Sequence, residues 1–350
     1  MLHAITSAFP TAEETGSIMG PPISPKKLEE EGAWETRKEI LGWLLDGIQK
    51  TIQLPPDKCD KLLSLLTESS SKSVATVKEL QSMQGKLQFA SIGIPLGKPL
   101  LGPIDRIIAE AERNNHTRVK VKEVIITYTR NWKALIYLMR SRPSHVRELI
   151  MNKKAAYRGL VDASKWGVGG VWFSGTKMLR PFVWFQKWPT SVTNELCTDD
   201  NPKGKITICD LELLGILMHW LALEQAVNKE DLKHQSPSIW CDNLAAVSWI
   251  YKFRSNTSPL AGNILRTLAT RLHECKAGLL GVDHISGIYN SMADVASRKH
   301  TTDLTAFLQL FTEKFKPPQG SYWLLYRQNT KLNKRIYTEL LMQTSTIASW

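Results

Sequence analysis

The sequence is short of cysteine. Its five cysteines (Cys59, Cys197, Cys209, Cys241 and Cys275) are odd in number and include no C-x-x-C pair, which excludes a disulfide framework or a cysteine-rich zinc site and points to a reducing compartment. No stretch approaches the roughly 18 consecutive apolar residues of a membrane helix. The opening MLHAITSAFPTAEETG has no succession of basic, apolar and small residues, as a secretory signal would. A membrane or secreted protein is therefore disfavoured, and an intracellular setting, cytoplasmic or nuclear, is expected. Disorder and fibrous repeats are also excluded, because 43% of the residues are hydrophobic and 22% charged. At roughly 100 to 200 residues per domain, 350 residues suggest two or three domains.

What is present in excess is positive charge. Lys and Arg number 45 against 33 Asp and Glu, a net +12, and such a field favours polyanions. From Arg106 to Lys154 there are twelve basic residues and four acidic ones. Arg118, Lys120, Lys122 and Lys133 in this block are candidate phosphate contacts, the alternative being a solvated helix face.

Residues 1–34 contain helix breakers and no lasting periodicity. From Ile40, ILGWLLDGIQKTIQLPP places two apolar runs around an Asp46-Gly47 turn signal and predicts a β-hairpin. DKCDKLLSLLTES and VATVKELQSMQGKLQFASIGIP follow with helical spacing, and helical periodicity continues from Pro103 to Leu149. At Tyr157 the text becomes strand-like: YRGLVDASKWGVGGVWF, then RPFVWFQKW. ITICDLELLGILMHWLALEQA is apolar nearly all round, as a helix buried against a sheet would be. SIWCD reads as a strand, NLAAVSWIYKF as a helix, AGLLGVDHIS as a strand and NSMADVASRKH as a helix. A meander followed by alternating α and β predicts a mixed α/β sheet flanked by helices.

Four acids fall where such a sheet presents chemistry: Asp162 in the first strand, Glu212 on the buried helix, Asp242 ending a short strand and Asp294 on the last helix. Each alone reads as a turn or cap. Together they make the oxygen-rich donor set that Mg²⁺ or Mn²⁺ requires. Asp210 cannot share the face of Glu212, since two helical residues lie about 200° apart. With Thr207 it forms a variant capping box. His219, on the apolar helix, reads as structural, and Asp199-Asp200 as a polar loop.

GLVDASKWGVGGVW, LELLGILMHW, IWCDNLAAVSW and HISGIYNSMADVASR resemble, in order, the four motifs of the ribonuclease H domain of reverse transcriptases. The last is the most specific, with His284 and Asp294 ten residues apart. ILGWLLDGIQKTIQLPPDK and LQSMQGKLQFASIGIPLGKPLLGPID resemble the primer-grip hairpin, thumb and connection of retrotransposons, in the style of DIRS-type elements. The order of acids separates other folds of the superfamily: an integrase places its Glu last, and a proofreading exonuclease needs Asp-x-Glu, whereas Asp162 is followed by Ala163-Ser164. No Tyr-x-Asp-Asp hairpin precedes residue 40.

The resemblance implies a palm remnant or linker at 1–39, a primer-grip hairpin and helical thumb/connection at 40–154, a ribonuclease H-like domain at 155–300 and a C-terminal tail at 301–350. It implies hydrolysis of the RNA strand of RNA/DNA hybrids with two Mg²⁺ or Mn²⁺ ions. Asp162 would bridge both ions, Asp294 would join it on one, and Glu212 with Asp242 would hold the other. His284, on a mobile loop, would handle a proton or release product. Ser164, Asn243 and Asn290 would contact sugar or phosphate, with turn and cap chemistry as the equal alternative. Trp166, Trp172, Trp184 and Trp188 could stack on bases, though core packing is the first expectation. The rival expectation is a decayed or domesticated nucleic-acid-binding module without catalysis.

Overall fold

The computed structural model describes residues 35–94, 97–150, 155–175, 180–255, 257–298 and 303–341. Most of the segment expected to be a linker, up to residue 34, lies outside them. Leu41 and Gly42 both take positive φ, 51° and 82°, the backbone of a tight two-residue hairpin turn. It joins β1 (Arg37–Ile40) antiparallel to β2 (Trp43–Asp46). The reversal at Asp46-Gly47 forms as expected. Asp46 Oδ1 accepts the N–H groups of Ile48 and Gln49 at 3.0 and 2.7 Å, and β3 (Thr51–Gln53) pairs back on β2. The hairpin is thus part of a larger meander whose first strand begins ahead of residue 40.

Pro56 at the first helical position starts α1 (Pro56–Ser71). The short strand β4 (Val74–Thr76) runs into α2 (Val77–Ala90), which opens with a capping box between Thr76 and Glu79. Next come α3 (Gly102–Arg113), β5 (Arg118–Lys120), α4 (Glu123–Ser141) and β6 (Ser144–His145). β5 pairs with β4 and β6 with β3, both antiparallel. The strand at 118–120 interrupts the helical run expected across 103–149, because Arg118-Val119-Lys120-Val121 alternates with a period of two. Leu66, Leu80, Met83, Leu87, Ile104 and Trp132 form the buried centre of this block.

The second sheet follows the chain as β7 (Tyr157–Ala163), β8 (Gly167–Ser174), β9 (Phe182–Lys187), α5 (Ile208–Ala226), β10 (Ser238–Cys241), α6 (Leu244–Lys252), α7 (Pro259–Glu274), β11 (Gly281–His284), α8 (Ser291–Arg298), α9 (Leu304–Lys314), β12 (Leu324–Leu325) and α10 (Thr330–Leu341). Its spatial order is β11-β10-β7-β8-β9-β12. β7, β8 and β9 form an antiparallel meander, β10 lies parallel to β7, and β11 lies parallel to β10. This is the ribonuclease H-like mixed sheet that the motif order implied. Alternation along the strands feeds two cores: Trp172, Phe182 and Trp184 pack with α5, while Val171 and Val183 pack with α8, α9 and Trp323 on the other face.

Helix α5 is buried on every side from Asp210 to Glu224, as its sequence demands. His219 at its centre is structural: Trp184 Nε1 donates to its Nδ1 at 2.8 Å, and Trp172 stacks on its ring at 4.2 Å. Burial holds its pKa well below the ordinary histidine value. A Cβ on Gly159 would stand 2.1 Å from its Nε2, so glycine there leaves the ring its space. The tail packs back onto the sheet. β12 adds a parallel edge strand to β9, and Phe307 and Phe311 of α9 are buried. Among the described residues no helix is long and apolar enough to cross a membrane.

Candidate active site

Asp162 is the penultimate residue of β7, and Asp242 directly follows the last residue of β10, the parallel strand beside it. Both therefore lie at the carboxyl ends of adjacent strands, where α/β sheets bind ligands. Val161 and Ala163 belong to the core that contains α5. Asp162 between them faces α8, where Ser297 Oγ donates to its Oδ2. Glu212 enters from the first turns of α5, and Asp294 from the first turn of α8. Close packing fixes α8: a Cβ on Gly169 of β8 would stand 2.5 Å from the Ala296 backbone.

Glu212, Cys241 and Asp242 bring one ligand atom each within 4.8 Å of one another, with Cys241 Sγ donating to Glu212 Oε2 at 3.8 Å. Among the described residues they are the one such group of three. Asp162 and Asp294 stand outside it, and Asp294 Oδ1 accepts from Arg298 Nε. Burial raises the Glu212 carboxyl to about 9, and the charges of Asp162 and Asp242 push the same way. Burial raises Asp162 to about 6, against the hydrogen bond from Ser297 and with repulsion from Asp242 and Asp294. Burial also raises the Cys241 thiol, with Glu212 adding to it. Carboxylates that repel one another in an apolar setting call for a cation. The oxygens of Glu212 and Asp242 suit a hard divalent ion whereas the Cys241 thiol beside them does not, and a Cβ on Gly287 would stand 3.2 Å from Asp242 Oδ2.

His284 ends β11 in register with Cys241, one residue before Asp242, and is exposed. It thus ends the strand that AGLLGVDHIS indicated, whereas the resemblance implied a loop. Ser164 and Asn290 are both engaged within the fold. Ser164 is buried, donating to the Ser297 carbonyl at 3.0 Å and accepting from Trp166 N–H at 3.2 Å. Asn290 is fully buried and donates to the Val161 carbonyl at 3.0 Å. Asn243 caps α6, its Oδ1 accepting Ala246 N–H at 3.0 Å. Only Asn243 is a helix cap; Ser164 and Asn290 hold α8 and the loop before it to β7, and Asn290 Oδ1 is buried without a hydrogen-bond partner among the described residues.

Asp210 is the cap that the sequence indicated, taking Thr207 N–H at 2.9 Å; it also accepts from Ser258 Oγ, which caps α7, at 2.5 Å. Asp199-Asp200 lies in an exposed turn. Trp172, Trp184 and Trp188 are core, whereas Trp166 is 59% exposed, with Lys165 Nζ over its ring at 4.7 Å. Arg118, Lys120 and Lys122 are exposed and Lys133 is half-buried. Sequence reasoning missed Ser297 and Cys241. The signal for Ser297 was its place one turn after Asp294, on the same helix face.

No family model and no curated protein matches the sequence. Among solved structures the chain is similar to a foamy viral protease-reverse transcriptase in complex with dsDNA, at 13% identity and TM-score 0.33, over 87% of this chain and 47% of that one. A dRH form of that protein with ds DNA matches at 14% and 0.30, over 72% and 38%. The protein with an RNA/DNA hybrid matches at 14% and 0.30, over 77% and 31%. The chain spans less than half the length of each. At these TM-scores the fold rests on the chain's own strand order and register: a ribonuclease H-like mixed sheet with acidic residues gathered at the carboxyl ends of its central strands.

Proposed function

We propose that the chain is a metal-dependent endonuclease that hydrolyses the RNA strand of RNA/DNA hybrids, within a retroelement reverse-transcriptase segment of thumb/connection, ribonuclease H-like domain and tail. The observation that carries this reading is the burial of Asp162 and Glu212 against Asp242 and Asp294, with burial and like charge raising both carboxyls. Glu212 and Asp242 would hold one Mg²⁺ or Mn²⁺ ion and Asp162 with Asp294 a second, Asp162 being shared. Such ions, when bound, supply activation of a water for in-line attack and stabilisation of the leaving 3′ oxygen.

The chain's own residues prepare the site. Ser297 orients Asp162, Arg298 orients Asp294, and Asn290 ties the loop after β11 to the Val161 carbonyl. His284, exposed at the end of β11 and in register with Cys241, would assist product release. The basic residues of β5 and Lys122 would follow phosphates, which position a duplex without reading its sequence. Five free cysteines accord with a reducing intracellular compartment.

The test is cleavage of a labelled RNA/DNA hybrid, with single-stranded RNA and duplex DNA as controls, with and without Mg²⁺ or Mn²⁺. The expected result is metal-dependent cutting of the RNA strand of the hybrid. Tight hybrid binding with no cutting in either metal would overturn catalysis and leave a binding module.

A further inference from the structure

The three-donor group at the strand ends holds a thiol that the proposed chemistry does not use. Along β10, Ile239 and Cys241 alternate with Trp240 and are buried in the core that contains α5. Cys241 is fully buried, and its Sγ stands 3.8 Å from Glu212 Oε2. Asp242, the next residue, is half-buried and completes the group, whose ligand atoms all lie within 4.8 Å of one another.

A second thiol stands nearby. Cys209 lies one turn before Glu212 on α5, so the two project from the same helix face. Asn243 reaches both sulphurs: its backbone N–H donates to Cys241 Sγ at 3.5 Å, and its Nδ2 donates to Cys209 Sγ at 3.7 Å. An N–H donated to sulphur favours the thiolate, the form that binds metal.

Sulphur changes which ion such a group selects. Oxygen donors alone suit Mg²⁺ or Mn²⁺, whereas a thiolate beside two carboxylates suits Zn²⁺ and the softer Cd²⁺. With zinc–sulphur bonds of about 2.3 Å and zinc–oxygen bonds of about 2.0 Å, neighbouring tetrahedral ligands stand roughly 3.5 Å apart. The 3.8 Å between Cys241 Sγ and Glu212 Oε2 is close to that spacing.

We propose that Glu212, Cys241 and Asp242 form a site for a thiophilic divalent cation, Zn²⁺ or Cd²⁺, which competes with Mg²⁺ and stops hydrolysis when bound. On binding, the S–H bond breaks, a sulphur–metal bond forms and the proton passes to solvent, with nothing oxidised or reduced. An ion drawn to the sulphur takes Glu212 and Asp242 away from Mg²⁺. Binding of the thiophilic ion stands on the geometry, and only the block on hydrolysis rests on the proposed function.

The experiment titrates the full, chelator-treated chain with Cd²⁺ and follows the ultraviolet charge-transfer band of a cadmium–thiolate bond. The parent should develop the band, Zn²⁺ should remove it, and rising Mg²⁺ should increase the Cd²⁺ concentration needed for half-saturation. Cys241→Ser should lose the band, whereas Cys197→Ser should keep it. Glu212→Gln retains every cysteine and should weaken Cd²⁺ binding roughly tenfold or more. In a parallel assay of hybrid cleavage in Mg²⁺, added Zn²⁺ should inhibit the parent.

A band that survives Cys241→Ser, or is indifferent to Glu212→Gln, would put the ion on other cysteines and overturn the site. A Cys241-dependent band that ignores Mg²⁺ would overturn the competition. A parent that shows the Cys241-dependent band but cuts no hybrid in Mg²⁺ would sink the proposed catalysis and spare the site. One that cuts hybrid and gives no band would do the reverse.

Discussion

On the surface of the helical block acidic side chains sit in water beside cations, while Glu148 inside it is buried and, like the acids of the sheet, raised by burial. Asp57 pairs with Lys61 at 3.1 Å, Asp60 with Arg140 at 2.7 Å, and Glu68 and Glu79 with Lys72 at 2.8 Å. Lys72 holds the Glu79 carboxyl down to about 2, and Lys61 lowers Asp57. At the strand ends of the second sheet the displacement has the opposite sign: Asp162 and Glu212, each 5% exposed, are pushed up by burial and by neighbouring carboxylates, Asp242 and Asp294 for the first and Asp162 and Asp242 for the second. Exposed ion pairs contribute about 0 to 1 kcal/mol apiece, whereas unpaired buried carboxylates subtract from stability. The first region uses acids for solubility and modest helix support. The second keeps them at a cost, which is the pattern of a site built for a ligand.

Glu212→Gln breaks this contrast most sharply. It should lower hybrid cleavage more than about a hundredfold, as expected when one anchor of a divalent ion is removed. The same change should raise melting in metal-free buffer near neutral pH, because an amide, unlike a carboxyl held at about 9, takes up no proton on folding. Asp57→Asn in the helical block should leave both melting and cleavage nearly unchanged.

Gly169→Ala should destabilise the fold by about 1 to 3 kcal/mol. The added methyl must displace α8, which carries Asp294 and Ser297, so cleavage should fall as well. Chemical denaturation and initial rates on one preparation check both effects.

The two regions should also separate by pH. Asp162 and Glu212 bind protons more tightly folded than unfolded, so their contribution is full below the ordinary carboxyl range. It is lost as pH rises through about 6 for Asp162 and about 9 for Glu212. Metal-free melting should therefore fall between about pH 5 and about pH 9, and Mg²⁺ should flatten the decline. Glu79 works in reverse: its contribution is present above 4.5 and lost as pH falls toward about 2. A metal-free melting curve that stays level from acid to alkaline pH would show the carboxylates to be better solvated than their burial implies.

The smallest expected effect lies in the basic block. Neutralising Arg118, Lys120 and Lys122 together should flatten the salt dependence of hybrid binding by about one unit per lost phosphate contact. An unchanged slope would mean that β5 is merely solvated.

The sequence made the acids at 162, 212, 242 and 294 legible, since each interrupts an apolar strand or helix whose period was clear. It also distinguished Asp210 from Glu212 on one helix, because capping and facing inward are different geometries. Helix α7 was not assigned, although Ser258-Pro259 and the leucines at 260, 265, 268 and 272 carry cap and spacing signals. β12 had no legible signal: two residues make no period, and their pairing on β9 comes from tertiary packing of the tail. β1 was hidden for a related reason, as RKEI is largely exposed and shows no apolar alternation. The burial of Ser164 and Asn290 depends on how α8 and its preceding loop close over β7, which local sequence does not specify.

The most direct test compares Asp162→Asn with Asp210→Asn in Mg²⁺ on one labelled RNA/DNA hybrid, with folding followed by melting. Asp162→Asn keeps the shape of a carboxylate without its charge, and should fold and bind hybrid while losing nearly all cleavage of the RNA strand. Asp210→Asn should keep cleavage and lose about 1 to 2 kcal/mol of stability, since it weakens two joined helix caps. An Asp162→Asn protein that cuts like the parent, or an Asp210→Asn protein that melts normally and is inactive, would contradict the assignment of the site.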